Sequence, residues 1–454
     1  MRTVSPESER AAPGKTDRPT RRISAAASGA RFPWLPLLGL FALMSVALTV
    51  VVGVASQTRL RGGAILQGPA WLDGWFQFDA GWYYDIAAHG YSYVPGHQSS
   101  IAFFPTYPMA VRALGALLGD YQVAGSVIGV ASGAGAVLLF GVWVWRRLPR
   151  AGALTAIAIV MVYPYAFFLY GAMYADSLFL LTALGAFLLL ERRMYWLAGL
   201  VGALATADRP VGIAVTIGLV VRMLELRAQD RARGSASGRP QTGPGTGPQT
   251  GPGTGPLSGP QTGPLSGDLA PDRPRWRGLL GAITAVRWRE AGVLLSGAGL
   301  LSWAVYLWVE FGNPLAFVAA ESAPGWDQGV GPHTWFKLSY IGTVLTDPVF
   351  SNGRLKTAQA VACLAAVLLM RRVWRRFGWG YTAYAAVAIL IPIIGTKDFM
   401  GTGRYVLIAF PIAAAAGDYL ATTKRRWLRP VALAASVGLL VVLTALFAKG
   451  IEVS

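Results

Sequence analysis

Three aspartates, Asp73, Asp79 and Asp85, fall in one stretch otherwise crowded with aromatic residues. It reads Trp71-Leu72-Asp73-Gly74-Trp75-Phe76-Gln77-Phe78-Asp79-Ala80-Gly81-Trp82-Tyr83-Tyr84-Asp85-Ile86-Ala87-Ala88-His89-Gly90-Tyr91. The chain has only 22 Asp and Glu against 40 Lys and Arg, so a concentration of acid here stands out. A carboxylate beside an apolar wall has its pKa raised toward a value useful for a general base. Faces such as those of Trp82 and Tyr91 suit sugar rings, and they suit the membrane–water boundary equally well. His89 is a second base by type, or a packing element of the same segment. If the segment is helical, Asp85 points away from Asp79 and is the weaker candidate. Downstream, Ala102-Phe103-Phe104-Pro105-Thr106-Tyr107-Pro108 leads into apolar residues and Arg112, the pattern of an amphipathic surface helix started at a proline turn.

The elements that must position these residues are membrane helices. The 454 residues are 54% hydrophobic and 14% charged, too little charge to cover a soluble domain. Apolar blocks of bilayer-spanning length occur at 33–55, 121–145, 151–171, 174–190, 291–311, 357–370, 378–396, 403–421 and 428–448. A further stretch, 195–223, is interrupted by Ala207-Asp208-Arg209-Pro210 and reads as two short helices. The expected fold is an all-α polytopic bundle of about 10–11 spans with a large first extracytoplasmic loop. A membrane barrel would instead show short alternating strands. Cys363 is the single cysteine, which rules out an internal disulfide.

The net charge of +18 raises nucleic acid as a partner, but its placement argues for topology instead. Basic residues cluster between spans, at Arg146-Arg147 with Arg150, Arg192-Arg193, Arg371 to Arg376 and Lys424-Arg425-Arg426. Short Lys/Arg-rich loops stay in the cytoplasm. The basic tail 1–32 is then cytoplasmic and the first span an uncleaved anchor. Residues 56–120 and 312–356 lie outside, as do Lys449–Ser454. Residues 228–289 read as a disordered cytoplasmic linker, built around Gly-Pro-Gln-Thr and Gly-Pro-Leu-Ser repeats that have almost nothing apolar to bury. The linker separates an N-terminal transmembrane group, 33–227, from a C-terminal one, 290–454.

The motifs also form an ordered set. Phe78-Asp79-Ala80-Gly81-Trp82-Tyr83, then Ile86-Ala87 with His89-Gly90-Tyr91, then Ala102-Phe103-Phe104-Pro105 with Tyr107-Pro108, resemble the PIG-V family of mannosyltransferases. That family carries Trp-Asp-Ala, Ile-Ala-x-His-Gly-Tyr and Ala-Phe-Phe-Pro-x-x-Pro elements in this order. Tyr174-Ala175-Asp176-Ser177-Leu178-Phe179, Asp208-Arg209-Pro210 and Gly403-Arg404-Tyr405 fall where relatives have Ser-Glu-Ser-like, Thr-Arg-Pro-like and Pro-Arg-Tyr-like elements. Phe78 stands for Trp, Asp208 for Thr and Gly403 for Pro.

The resemblance implies a multi-pass cell-membrane glycosyltransferase of the GT-C class. It would move mannose from a polyprenyl-phosphate sugar to an acceptor hydroxyl on a glycolipid, glycan or protein outside the cytoplasm. The essential Asp that the family places in its first outer loop matches Asp79. Arg404, Arg209, Lys397 and Arg112 are the cations available to stabilise a departing phosphate, with snorkelling to the interface as the alternative for the first two. Asp176 and Asp208 could pair with them structurally. The only cofactor-like requirement is the lipid-linked donor, and a divalent metal is left open, since no compact ligand cluster is visible. No Gly-x-x-x-x-Gly-Lys-Ser/Thr loop is present, so a lipid-linked donor is easier to accommodate than ATP. Two other classes remain: a lipid or solute transporter or flippase, expected to bury ionisable groups in mid-span, and a non-catalytic assembly subunit, which would not need the acidic aromatic loop.

Overall fold

The computed structural model describes residues 31–58, 69–237, 276–329, 331–346 and 353–453. The chain divides into two units, Met1–Phe32 and Pro33–Ser454, and all the helices below belong to the second. The basic tail lies almost wholly outside the described residues, as does the Gly/Pro repeat, including the segment 242–263 expected to be dispensable.

The described residues contain helices and no strand. In chain order the helices are α1 (Trp34–Ser56), α2 (Ala80–His89), α3 (Thr106–Leu118), α4 (Tyr121–Trp145), α5 (Arg150–Val162), α6 (Asp176–Glu191), α7 (Tyr195–Thr206) and α8 (Ile213–Ser237). They continue as α9 (Trp276–Ile283), α10 (Ala298–Phe311), α11 (Ala316–Glu321), α12 (Pro332–Trp335), α13 (Leu338–Thr346), α14 (Gly353–Phe377), α15 (Trp379–Gly395), α16 (Thr402–Ile408), α17 (Phe410–Thr422) and α18 (Leu428–Ala448). Among the described residues, five helical stretches are long and apolar enough to cross a membrane: α1, α4, Glu290–Phe311, α14 and α18. The bent pair α16–α17 would make a sixth, and α5, α7 and α15 are shorter apolar helices. The protein is a multi-pass membrane protein.

Every expected apolar block is helical, but three differ from a plain span. The block at 151–171 stops as a helix at Val162, because Pro164 pushes Tyr163 into an extended conformation with ψ 140°. The chain then continues as a buried 3-10 turn, Ala166–Leu169, leading into α6. The block at 403–421 bends by 77° between α16 and α17. Pro411, lacking an N–H, cannot carry the helical ladder through this point. Finally, the expected disordered linker 228–289 is helical at both ends, at α9 and where α8 runs on to Ser237. Ion pairs from Arg193 to Asp230 (2.9 Å) and from Arg227 to Glu290 (3.6 Å) hold this extension to the bundle.

Small residues decide the closest approaches. Gly125, Gly129 and Gly133 recur every fourth residue along one face of α4, and the segment 169–173 lies against it. A Cβ on Gly133 would lie 2.1 Å from the Leu169 carbonyl oxygen, and one on Gly125 would lie 2.5 Å from Met173 Cγ. The stripe has the small-x-x-x-small spacing that lets membrane helices approach closely, used here against a segment that is not an α-helix. It presses the segment leading into α6 onto the bundle.

The charged residues segregate to two ends. At one end Arg147 meets Glu191 (3.0 Å), Arg222 meets Glu191 (2.8 Å) and Glu225 (2.7 Å), and Glu225 accepts from the first N–H groups of α15 at Trp379 (3.1 Å). Arg372 and Arg376 meet Asp418 there, at 2.6 and 2.9 Å. Following α6, α14 and α17 to their opposite ends leads to Asp176, to the Lys356–Asp398 pair (2.7 Å) and to Arg404. The basic clusters and the acidic aromatic loop therefore occupy opposite ends.

Candidate active site

Asp79 sits immediately before α2, and the residue preceding it, Phe78, has φ +53°. A bulky residue in the left-handed region costs on the order of 1–3 kcal/mol and persists only where its surroundings hold it. Here Tyr174 does so. Its hydroxyl donates to the Gln77 carbonyl (3.1 Å) and accepts from the Asp79 N–H (3.2 Å), bracketing Phe78 on both sides. The Asp79 carboxylate is thereby presented to Arg404, whose Nη1 lies 3.0 Å from Asp79 Oδ2.

Arg404 enters on α16, which begins after Gly401, itself at φ +81°. Gly403 makes that entry possible. Its N–H donates to Gln359 (3.0 Å), its carbonyl accepts from Tyr163 (3.1 Å), and an added Cβ would lie 2.3 Å from the Tyr165 ring. The glycine that stands where the resembling family carries proline is thus a close-packing position whose N–H is in use. The Arg404 guanidinium also lies over the rings of Tyr174 (5.3 Å) and Phe168 (5.4 Å).

Behind this pair lies a second, more deeply buried one. Asp176, at the start of α6, is ion-paired with Arg209 and lies 3.9 Å from Arg404. Arg209 also stacks over Tyr405 at 4.9 Å. The order Asp79, Arg404, Asp176, Arg209 makes a chain of alternating charge across four segments far apart in sequence. Asp208, in the turn after α7, is 1% exposed and neither carboxylate oxygen makes a hydrogen bond of normal geometry. Burial pushes its carboxyl well above the usual range, with Arg209 opposing and Asp176 adding to the rise. The turn is tied to the first outer loop, since the Thr106 N–H donates to the Ala207 carbonyl (2.9 Å).

Aromatic residues wall this region. Trp82 stacks on Phe103 (5.9 Å) and meets Trp326 edge-on (5.6 Å), joining the segment after α1 to the segment after α10. Glu321, at the end of α11, lies within electrostatic range of Arg209, and burial pushes its carboxyl up to about 7 against that cation's pull. Glu452 lies within range of Asp79, Asp398, Lys356 and Lys397.

The candidate residues read from the sequence thus separate into groups. Asp79, Arg404 and Arg209 converge, and Trp82 lies one helical turn from Asp79. Lys397 is held by Asp327 (2.8 Å) in a neighbouring pair. Arg112 donates to the carbonyls of Ala87 (2.7 Å) and Ile86 (3.0 Å), satisfying the C-terminal end of α2. His89 is an exposed residue on Asp85 (2.8 Å). Tyr91 donates to the Phe103 carbonyl (3.0 Å) and packs on Trp303 (4.8 Å). These last three build the loop and stand outside the charge chain. The sequence reading missed Tyr174 as a clamp, Tyr405 as a stacking partner and Glu321; an aromatic beside an Asp-Ser pair was the only signal for the first. Among the described residues no group of three or more His, Cys, Asp or Glu is placed to hold a metal ion.

No family model and no curated protein matches this chain. The crystal structure of the Archaeoglobus fulgidus oligosaccharyltransferase in the apo form is similar at a TM-score of 0.44 and 12% identity, over 93% of this chain and 56% of that one. The chain spans little more than half the length of that protein.

Proposed function

We propose that this protein is an integral membrane glycosyltransferase of the GT-C type, which moves mannose from a polyprenyl-phosphate sugar to an acceptor hydroxyl on the extracytoplasmic side. The observation that carries the proposal is the Asp79–Arg404 pair (3.0 Å), with Arg209 one ion pair further in. It supports the reading because inverting transfer needs one carboxylate and one cation cluster side by side. Asp79 accepts the proton of the acceptor hydroxyl as that oxygen bonds to the sugar's anomeric carbon. The bond from that carbon to the phosphate oxygen breaks, and the departing phosphate takes the electron pair. Arg404, whose buried Nε has no hydrogen-bond partner among the described residues, and Arg209 balance the charge that develops. The aromatic wall at Trp82 and Trp326 offers a face for the sugar, and membrane lipid accommodates the polyprenyl tail.

The test is transfer by purified protein from a panel of polyprenyl-phosphate sugars to membrane lipid extracts. Mannose transfer is expected, and no transfer from any donor by correctly inserted protein defeats the proposal. Reporter fusions at Gly96 and Thr250 check the sidedness, with Gly96 outside and Thr250 in the cytoplasm. A transporter is the competing reading, favoured by one observation, the buried Asp208 carboxylate, whose oxygens make no hydrogen bond of normal geometry among the described residues. Flux of a labelled solute or lipid across proteoliposomes without product formation would decide for it.

A further inference from the structure

At the end of the bundle away from Asp79, α14 and α17 leave between them an open groove of about 840 Å³. That is within the range of about 300–1,000 Å³ typical of small-molecule sites. Its walls are apolar higher up, at Leu368, Leu369 and Leu420, and its mouth carries four guanidiniums, from Arg371, Arg372, Arg375 and Arg376. The four are not equivalent. Asp418, fully buried, takes both Arg372 (2.6 Å) and Arg376 (2.9 Å). Arg372 is further held by Thr422 (2.6 Å) and by the Tyr419 ring (5.5 Å). One carboxylate thus serves two cations. Arg371 and Arg375, one turn apart on the neighbouring face, make no ion pair with any described residue and are exposed. The groove mouth therefore keeps a net charge of three positive from these five side chains. Above it, Val361, Leu364 and Leu368 are 59%, 58% and 72% exposed and form a continuous apolar stripe along α14.

We infer that this groove binds one anionic glycerophospholipid. Its phosphate lies between Arg371 and Arg375, and an acyl chain follows Leu368 up the stripe. The geometry answers each part of such a molecule. The two unpartnered guanidiniums offer forked donors to phosphate oxygens, which a zwitterionic headgroup would also load with its own cation. Basic pockets between membrane helices at the positively charged end are the recurring form of such sites. Arg372 and Arg376 shape the mouth and are already neutralised in part, so the discriminating charge is on the other two. The inference does not depend on the reaction at the opposite end.

The experiment uses the full-length protein in detergent, titrated with short-chain phosphatidylglycerol or phosphatidylcholine and read by native mass spectrometry for bound lipid. The wild type should retain phosphatidylglycerol preferentially, as a single tight copy. Arg371→Gln with Arg375→Gln should weaken that copy about 30-fold, which is about 2 kcal/mol, two contacts of about 1 kcal/mol each at 1.4 kcal/mol per tenfold. Ala416→Leu, which fills the groove and leaves every charge in place, should weaken it as well; this variant decides the matter should the double variant fail to fold. Equal retention of the two lipids by the wild type overturns the inference, as does an unchanged preference in either variant. So does displacement of the lipid by an equal concentration of inorganic phosphate, which would make the site one for free anions.

Discussion

Replacing Asp79 with Asn is the perturbation that most directly separates chemistry from scaffold. The change keeps size and hydrogen-bonding capacity and removes one charge. A carboxylate acting as general base contributes about 10²–10⁴-fold, so turnover should fall by that factor. The structural cost is bounded by the ion pair. Asp79 and Arg404 are 29% and 12% exposed, so the pair lies between a solvent-exposed bridge and a fully buried one. Those limits are about 0–1 kcal/mol and about 3–5 kcal/mol for removing one partner. Asp176, 3.9 Å from Arg404, remains to compensate the guanidinium, which argues for the lower half of that interval. Tyr174 still brackets Phe78 through two backbone groups that the substitution does not touch. Asp79→Asn should therefore insert and melt nearly as the wild type does while losing transfer from a polyprenyl-phosphate mannose donor. Asp73→Asn is the control. Asp73 accepts from Gln122 (3.2 Å) in the turn before, away from Arg404, and its variant should keep most activity. Near-normal transfer by Asp79→Asn would remove the carboxylate from the mechanism. An equal loss in both variants would mean the loop as a whole had been disturbed.

Other consequences follow from neighbouring contacts. Arg209→Ala leaves Asp176, which is 1% exposed, with Arg404 at 3.9 Å as its remaining cation, so the cost should fall between the about 0–1 kcal/mol of an exposed pair and the about 3–5 kcal/mol of an unpaired buried charge, read as a fall in melting temperature; an unchanged melting temperature would show that the pair contributes little. Tyr174→Phe keeps the ring under Arg404 but deletes the hydroxyl that holds both sides of Phe78. Its expected effect is a lower kcat with KM little changed, and unaltered kinetics would refute the clamp. Glu321 has its carboxyl raised from the ordinary 4.5 to about 7. The folded protein then holds that proton where the unfolded chain has released it, so stability falls as pH rises from about 4.5 to about 7. Glu321→Gln should flatten the melting-temperature profile across that window, and an unchanged slope would place the titration elsewhere.

The residues that could do chemistry were only partly legible along the chain. Asp79 stood out because acid is scarce and this one is set among aromatics. His89, Tyr91 and Arg112 stood out for the same reason of type, yet each is spent locally. Arg112 caps α2, His89 meets Asp85 one turn away, and Tyr91 holds the backbone at Phe103. Local hydrogen bonds of this kind depend on where a helix ends, and helix ends are the least readable feature of a sequence.

Composition and apolar periodicity by themselves determined that the chain is helical, membrane-embedded and charged at the ends of its spans, because burying backbone in lipid leaves few alternatives to helices of bilayer length. They did not reveal the breaks: 151–171 and 403–421 read as single spans, and Pro392 sits inside α15, so a proline alone does not mark where a helix ends. What only the tertiary structure decided is which charges meet. Asp79 and Arg404 are 325 residues apart. Arg209 reaches Asp176 from another helix pair, and the glycines of α4 and Gly403 set how closely those segments approach. No spacing rule connects such positions. Their meeting depends on which small residues let two backbones come together, a property of the packed pair and of neither strand of sequence alone.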